Sequence, residues 1–525
     1  VSLFSLENIA RQYLACRRHK RSTANALRFE ARQELELLAL RDELVARTYE
    51  PARSVCFFVT RPKLREVFAA DFRDRVVHHV LVSHLERTWE PVFIHDSYAC
   101  RPGKGVHKAV ARLQQFMRQA TANGTREAFA LHLDVRNYFM SIDKQRLFAM
   151  LDAKLRDDDA RWLTAKLVFH DCTRAPLVKG DPRLVDRLPP HKTLFRAPPG
   201  KGLPIGNLNS QFFANVYLNA LDQFVKHTLK CRWYLRYCDD FVLLARSRDE
   251  LLAWRERIRA FLAEQLLLEL NDRRERLRPV ADGVDFLGYI VRPFHLLVRR
   301  RVVGHLRERL ARFERALVAR GETLDTYRYD EATLDALQAT LASYLGHLRW
   351  AASWRLLARL WQEHAWMAQF VELDATRYAL RRRDRLPRDA RGVLAQVAHL
   401  QREFAGDEVW VQVGAFVERL QWPPRHLRRR GGGCIEVPGL RRLRPTARGA
   451  VAGFPLGQLA RRLGARLADG RAAAWLAEQG AVGPGAPVRR RLARRWVPKD
   501  AGDRSRPLAP HRRTLISPVD GALHA

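Results

Sequence analysis

"YLRYCDDFVLLARS", residues 234–247, sets two adjacent carboxylates, Asp239 and Asp240, inside an otherwise apolar run. Adjacent carboxylates repel each other, and burying them without a counter-charge is costly. Such a pair ordinarily marks a solvated turn, but the flanks YLRY and FVLLA are apolar on both sides. The stretch therefore reads as two strands joined by a tight turn that carries the pair. Such a pair can hold a divalent metal if a third carboxylate arrives from a neighbouring strand, because Mg²⁺ binds through carboxylates plus substrate phosphates. "LHLDVRNYFMSID", residues 131–143, supplies the candidate: Asp134 ends an alternating apolar run. Asp143 is the weaker candidate and reads better as the N-cap of the helix beginning KQRLF. Two ions held about 3.5–4 Å apart clamp the attacking and leaving oxygens of a phosphoryl transfer.

The chain around this stretch has 525 residues, of which 47% are hydrophobic, enough for several packed cores. At about 150 residues each, three or four domains are expected. The net charge of +36 points to a polyanionic partner, most simply nucleic acid. No unbroken apolar stretch of spanning length occurs and no signal peptide opens the sequence, so no membrane and a cytoplasmic location are expected. Seven scattered cysteines (Cys16, Cys56, Cys100, Cys172, Cys231, Cys238, Cys434) contain no C-x-x-C pair. That argues against a disulfide framework or a zinc ribbon.

Residues 1–130 read as mostly helical around a basic stretch, "FFVTRPKLREVFAADFRDRVVHHVL". From about 130 to 295, strand-like runs alternate with helical patterns, which predicts an α+β domain. Residues 325–370 read as all-helical, with Trp350, Trp354 and Trp361 on one helical face packing into a core. An Arg-rich helical link, "YALRRRDRLPRDARG", follows.

Tyr237–Asp240 (Y-C-D-D) after a strand ending in Asp134 resembles the palm of a reverse transcriptase, and further blocks agree in order. "RPKLREVFAADFRDRVV" is similar to the basic fingers segment, "HDSYACRPGKGVHKAV" to the helix entry of bacterial members, and "GLPIGNLNSQFFANVYLNALD" to the block beside the nucleotide pocket. "VDFLGYIV" resembles the primer-grip hairpin and "ASYLGHLRWA" the thumb. The resemblance implies a right-hand polymerase of fingers, palm and helical thumb. It implies that Asp134, Asp239 and Asp240 hold two Mg²⁺ ions, with Mn²⁺ as a possible substitute. Lys63 and Arg65 would meet the incoming phosphates, and Tyr237 would line the nucleotide site. Phe139 would sit under the sugar and exclude a 2′-hydroxyl. Phe286, Leu287, Gly288 and Tyr289 would form the primer grip. The implied partners are a template RNA, a cDNA primer and product, and dNTPs; a small basic accessory protein is a further candidate. Relatives usually carry a Lys before the primer grip, whereas this chain has "NDRRERLRP", so Arg273 or Arg274 takes that place. Arginine stays charged and is a poor proton donor.

"IGNLNSQ" is similar to the signature of diversity-generating retroelements, which implies that Ile205 and Gln211 would lie near the templating base and that Gly206 would line the nucleotide site with them. That resemblance implies error-prone copying of a template RNA. The alternatives are an antiviral defence reverse transcriptase and, from another class, a non-catalytic RNA-binding scaffold. Beyond residue 400, "DEVWVQVGAFVERLQW" alternates like a strand, "GFPLGQLARRLGARLADG" reads as a helix with Leu456, Leu459, Leu463 and Leu467 inward, and "RAAAWLAEQ" as a second strand. This part resembles the N-terminal mismatch-binding domain of MutS proteins, in which Phe416 would wedge against a mispaired base and Glu418 would hydrogen-bond that base. The alternative is an α/β module with Phe416 in its core. "VRRRLARRW" and "RHLRRRGGG" would contact phosphates or form a solvated face. The expected division is fingers and the start of the palm over 1–130, palm over 131–295, helical thumb over 296–372, basic helical linker over 373–400, a small α/β nucleic-acid-binding domain over 401–500, and a disordered tail over 501–525.

Overall fold

The computed structural model describes residues 2–18, 23–60, 63–413, 415–421, 450–459, 461–463, 472–477 and 489–499. The chain divides into two compact units, Val1–Leu296 and Leu297–Ala525.

In the first unit, helices α1 (Leu6–Arg17), α2 (Ala24–Glu30) and α3 (Gln33–Val45) precede a hairpin of β1 (Val55–Val59) and β2 (Arg65–Ala69). The sequence reading has no strands there; the alternation of Cys56, Glu66 and Phe68, all buried, explains why the stretch pairs instead. Helices α4 (Phe72–Trp89) and α5 (Val106–Ala120) lead into β3 (Phe129–Asp134), then α6 (Tyr138–Ser141), α7 (Lys144–Asp152), α8 (Asp158–Phe169) and β4 (Leu177–Lys179). Asp143 caps α7, accepting from the Arg146 backbone at 2.9 Å. Helix α9 (Leu208–Gln223) precedes the hairpin β5 (Trp233–Tyr237) and β6 (Asp240–Ala245), followed by α10 (Arg248–Leu266), β7 (Arg276–Pro279), β8 (Val284–Phe286) and β9 (Tyr289–Val291).

The central sheet has the order β5-β6-β3-β7 and is antiparallel throughout. Leu131, Leu133, Phe241, Leu243 and Ala245 join one large core with residues of α4, α9 and α10. Each such fully buried Leu or Phe contributes about 1.5–3 kcal/mol. By strand alternation, His132, Asp134, Asp240 and Val242 share the opposite face. The core thus fixes the register and sends the polar residues to the other side.

Strand β10 (Leu296–Val298) crosses the division between units. The second unit holds α11 (Arg300–Leu317), β11 (Val318–Arg320), β12 (Leu324–Arg328), α12 (Glu331–Leu348), α13 (Trp354–Glu363), β13 (Val371–Asp374), β14 (Ala379–Arg382) and α14 (Val393–Glu403). Strands β15 (Glu408–Val413), β16 (Phe416–Gln421), β17 (Ala450–Pro455), β18 (Ala473–Ala477) and β19 (Arg491–Pro498) complete it.

Several expectations are corrected here. Residues 325–328 are strand, because β12 pairs with β19 (Thr326 opposite Trp496). The Arg-rich stretch is no helical linker: β13 and β14 form a hairpin, and its arginines are paired, Arg381 with Glu372 and Glu403, Arg382 with Asp384 and Asp335. The described strands within 401–500 do not form a domain of their own. They lie in one seven-stranded sheet, β11-β12-β19-β18-β15-β16-β17, and Val409, Val411, Leu476 and Leu492 share a core with Leu310, Tyr329 and Phe370. The three tryptophans do not share a helix, since α12 ends at Leu348 and α13 begins at Trp354. Trp361 packs on the core, while Trp350 and Trp354 are exposed at 47% and 37%. Leu456 and Leu459 pack around Trp410, Val417, Phe454 and the buried Leu463, whereas Leu467 lies outside the described residues, as do RHLRRRGGG and the tail from 501.

Candidate active site

Strand pairing sets Asp134 and Asp240 directly opposite one another at the ends of β3 and β6. Asp239 lies beside them in the two-residue turn between Tyr237 and Asp240, where Cys238 adopts a left-handed φ of 58°. The Val135 amide donates to the Asp239 carbonyl at 3.2 Å and so ties the turn to the end of β3. Asp134 is buried; its Oδ1 accepts from Asn271 Nδ2 and its Oδ2 from Arg274 Nη1, both at 2.7 Å. Of the two arginines named from the sequence, Arg274 is therefore the one that reaches a carboxylate of the cluster.

Electrostatics separate the three acids. Burial, reinforced by the charges of Asp134 and Asp240, pushes Asp239 up to about 6. Burial also raises Asp134, against the pull of Asn271 and Arg274. Burial acts upward on Asp240 as well, but His132 and Arg274 outweigh it and leave Asp240 below the ordinary carboxylate range. His132 Nε2 lies 3.4 Å from Asp240 Oδ1, and its ring stands edge-on to Phe286 at 5.9 Å. Sequence reading missed His132; a polar residue two positions before Asp134 on the same strand face is the signal that could have found it.

Phe286 and Tyr289 are fully buried and pair across a turn in which Leu287 and Gly288 have φ of 47° and 100°, the twist-matched form of a two-residue hairpin. Phe139 is half-buried, and its carbonyl accepts from the Leu203 amide at 2.8 Å. Ile205 is bound to the β1–β2 hairpin, its carbonyl accepting from the Phe68 amide at 2.9 Å. Gly206 has φ of 123°, and a Cβ there would lie 2.8 Å from Val67 Cγ1 and 2.9 Å from the Phe68 carbonyl oxygen. Gln211 is exposed in the first turn of α9, and Tyr237 is half-buried. Lys63 and Arg65 are exposed at the hairpin end, next to positions 61–62, which lie outside the described residues. In the second unit Phe416 is 51% exposed, so it is not a core residue; Glu418 is half-buried on the same strand face, and burial raises it.

Three oxygen donors of this kind suit Mg²⁺, and a divalent cation would relieve the crowding that raises Asp239. Among the described residues, no three His, Cys, Asp or Glu side chains converge as a ready metal cage. Both Asp134 oxygens are instead engaged by Asn271 and Arg274. The donor set fits the ions in kind, with the Arg274 cation in contact with the carboxylate that would share them.

Residues 61–291 match the family described as reverse transcriptase (RNA-dependent DNA polymerase). This stretch is a reverse transcriptase domain, the catalytic domain of a nucleotidyltransferase; such domains work with divalent metal ions. The chain is 29% identical over 311 residues to protein YkfC of Escherichia coli, covering 53% of this chain and 75% of that protein. It is 21% identical to the group II intron-encoded protein LtrA of Lactococcus lactis subsp. cremoris, covering 44% of this chain and 45% of that protein. Solved telomerase structures from Candida tropicalis and Candida albicans align with TM-scores of 0.35 and 0.32 at 10% and 11% identity. They cover 48% and 57% of this chain, and 56% and 54% of their own chains.

Proposed function

We propose that this protein copies an RNA template into DNA by two-metal nucleotidyl transfer. The observation that carries this reading is the cross-strand pair Asp134–Asp240 with Asp239 in the adjoining turn. Asp134, Asp239 and Asp240 would hold two Mg²⁺ ions, which supply charge stabilisation at the reacting phosphate. The other residues bind and orient. Lys63 and Arg65 meet the triphosphate, Phe139 lies under the sugar, and the Phe286–Tyr289 turn holds the primer end. Arg274 pairs with Asp134 and would have to release it for that carboxylate to hold the ions.

The finer reading is error-prone copying within a diversity-generating retroelement, supported by the Ile205–Gln211 block and its attachment to the β1–β2 hairpin. A near-repeat pair in the flanking DNA, differing only at adenines, would favour it over a defence role. Exposure of Phe416 beside Glu418 supports a nucleic-acid contact by the second unit. No helix among the described residues is long and apolar enough to cross a membrane, and a cytoplasmic location goes with this reading.

Primer extension tests the chemistry. With poly-rA, oligo-dT, dTTP and Mg²⁺, the protein should extend the primer, and Asp239→Ala should lose about 10²-fold or more. Absence of extension by the unaltered protein overturns the reading, and equal activity of the variant removes Asp239 from the site.

A further inference from the structure

Arg236 is completely buried, yet its guanidinium serves two elements at once. Its Nε and Nη2 grip the two oxygens of Asp222 on α9, at 2.8 and 2.6 Å. Its Nη1 donates to the Cys238 carbonyl at 2.9 Å and to Asn215 Oδ1 at 3.3 Å. Tyr234 adds a hydroxyl bond to Asp222 at 2.7 Å, and Asn215 is anchored in turn on the Ala99 carbonyl at 2.8 Å. The backbone of Arg236 is fixed too, donating to the Asp96 carbonyl and accepting from the Tyr98 amide, both at 2.9 Å.

Stability alone does not explain this arrangement, because apolar residues of similar volume often replace a buried ion pair without loss. An apolar pair cannot donate a hydrogen bond to Cys238. That carbonyl belongs to the turn residue held at φ of 58°, immediately before Asp239. A planar fork makes these four bonds together, whereas an ammonium group has only three donors on one nitrogen.

We infer that Arg236 is a positioning residue: through the Cys238 carbonyl it fixes the turn that presents Asp239, and through Asp222 it couples that turn to α9. Helix α9 begins at Leu208, inside the Ile205–Gln211 block, so one buried network joins the carboxylate turn to the element that the polymerase reading sets beside the template. The inference rests on the proposed polymerase reading for what the turn presents Asp239 to.

The test uses the full chain and two readouts. Mn²⁺ binding is followed by the electron paramagnetic resonance of the free ion, without nucleic acid or nucleotide. Primer extension then gives the Mg²⁺ concentration for half-maximal rate. Arg236→Lys keeps the charge but not the fork. It should weaken Mn²⁺ binding and raise the Mg²⁺ requirement about 10- to 100-fold, with the dTTP KM at saturating Mg²⁺ changed by no more than about twofold. The double variant Arg236→Met/Asp222→Asn removes both charges together, strands neither, and leaves an amide to pair with Tyr234. It should fold and show the same metal defect. A folded double variant with unaltered Mn²⁺ binding overturns the inference, and so does unfolding of both variants, which would make the pair a requirement of the fold alone. Weakened Mn²⁺ binding in Arg236→Lys, with no extension by the unaltered protein, would sink the polymerase reading and leave the positioning of the carboxylate turn standing.

Discussion

Asp239 carries a testable charge. Its folded-state value of about 6 lies above the value of about 4 for an unfolded Asp. A carboxyl raised in this way favours folding at low pH, and that contribution is lost as pH rises through the folded value. Above about pH 6 the ionised side chain therefore weighs against the metal-free fold. Asp239→Asn should stabilise the metal-free protein by about 1–2 kcal/mol near pH 7.5, with the gap closing toward pH 4. Thermal melts of both proteins in a chelator check this; a gap of equal size at both pH values would assign the gain to something other than the charge. Phe139 bears on sugar choice. Its carbonyl is tied to Leu203 while the ring is half-buried. Phe139→Ala should raise rGTP use relative to dGTP roughly tenfold or more, the scale of a lost steric contact in a pocket. An unchanged ratio in a folded variant would return Phe139 to the core.

Hairpins do the positioning at the scale of elements. The β5–β6 turn carries Asp239, the β8–β9 turn carries Leu287 and Gly288, and the β1–β2 hairpin receives the loop before α9. Gly206 is where that loop meets β2, at a φ that disfavours any side chain and with no room for a Cβ. Gly206→Ala should cost about 1–3 kcal/mol and raise the dNTP KM more than it lowers kcat. Melting curves and steady-state extension would show both. A variant with unaltered stability and KM would mean that the loop and hairpin can separate freely. The β5–β6 hairpin was legible because apolar flanks on both sides of two carboxylates suit a strand pair and not a solvated turn. The β1–β2 hairpin was not, because its exposed arginine and lysine mask an alternation of period two.

For the whole molecule, the second unit is closed by the last of its described strands. Strand β19 lies between β12 and β18, so the chain after residue 400 completes a sheet begun at residue 318. Removing everything beyond about residue 405 would bare Leu310, Tyr329 and Phe370, at about 1.5–3 kcal/mol for each large side chain returned to water. Such a truncation should leave residues 297–405 open to limited proteolysis while residues 1–296 stay protected. Equal protection of both regions would show that α11, α12 and α13 stand without the sheet. By the same reasoning, a fragment of residues 395–500 lacks β12 and half of its core, so tests of Phe416 belong in the full chain.

By itself the sequence determined where three carboxylates of the first unit fall, Asp134 at a strand end and Asp239 and Asp240 at a hairpin turn. Carboxylates at strand ends are costly and therefore conspicuous, and local alternation is enough to place Asp134 and Asp240 on strands that can meet and Asp239 in the turn beside them. It also determined Asp143 as a cap, since that role depends only on the helix that follows. Tertiary structure alone decided what closes around those acids. The choice of Arg274 over Arg273 and the buried Arg236–Asp222 pair rest on proximities that no local pattern encodes. It alone decided that the Arg-rich stretch pairs in a hairpin of its own and that the described strands of the last third join β11 and β12 in one sheet. Pairing between β12 and β19 links residues more than 160 positions apart, and a strand's partner is chosen by the core it shares, not by its own sequence.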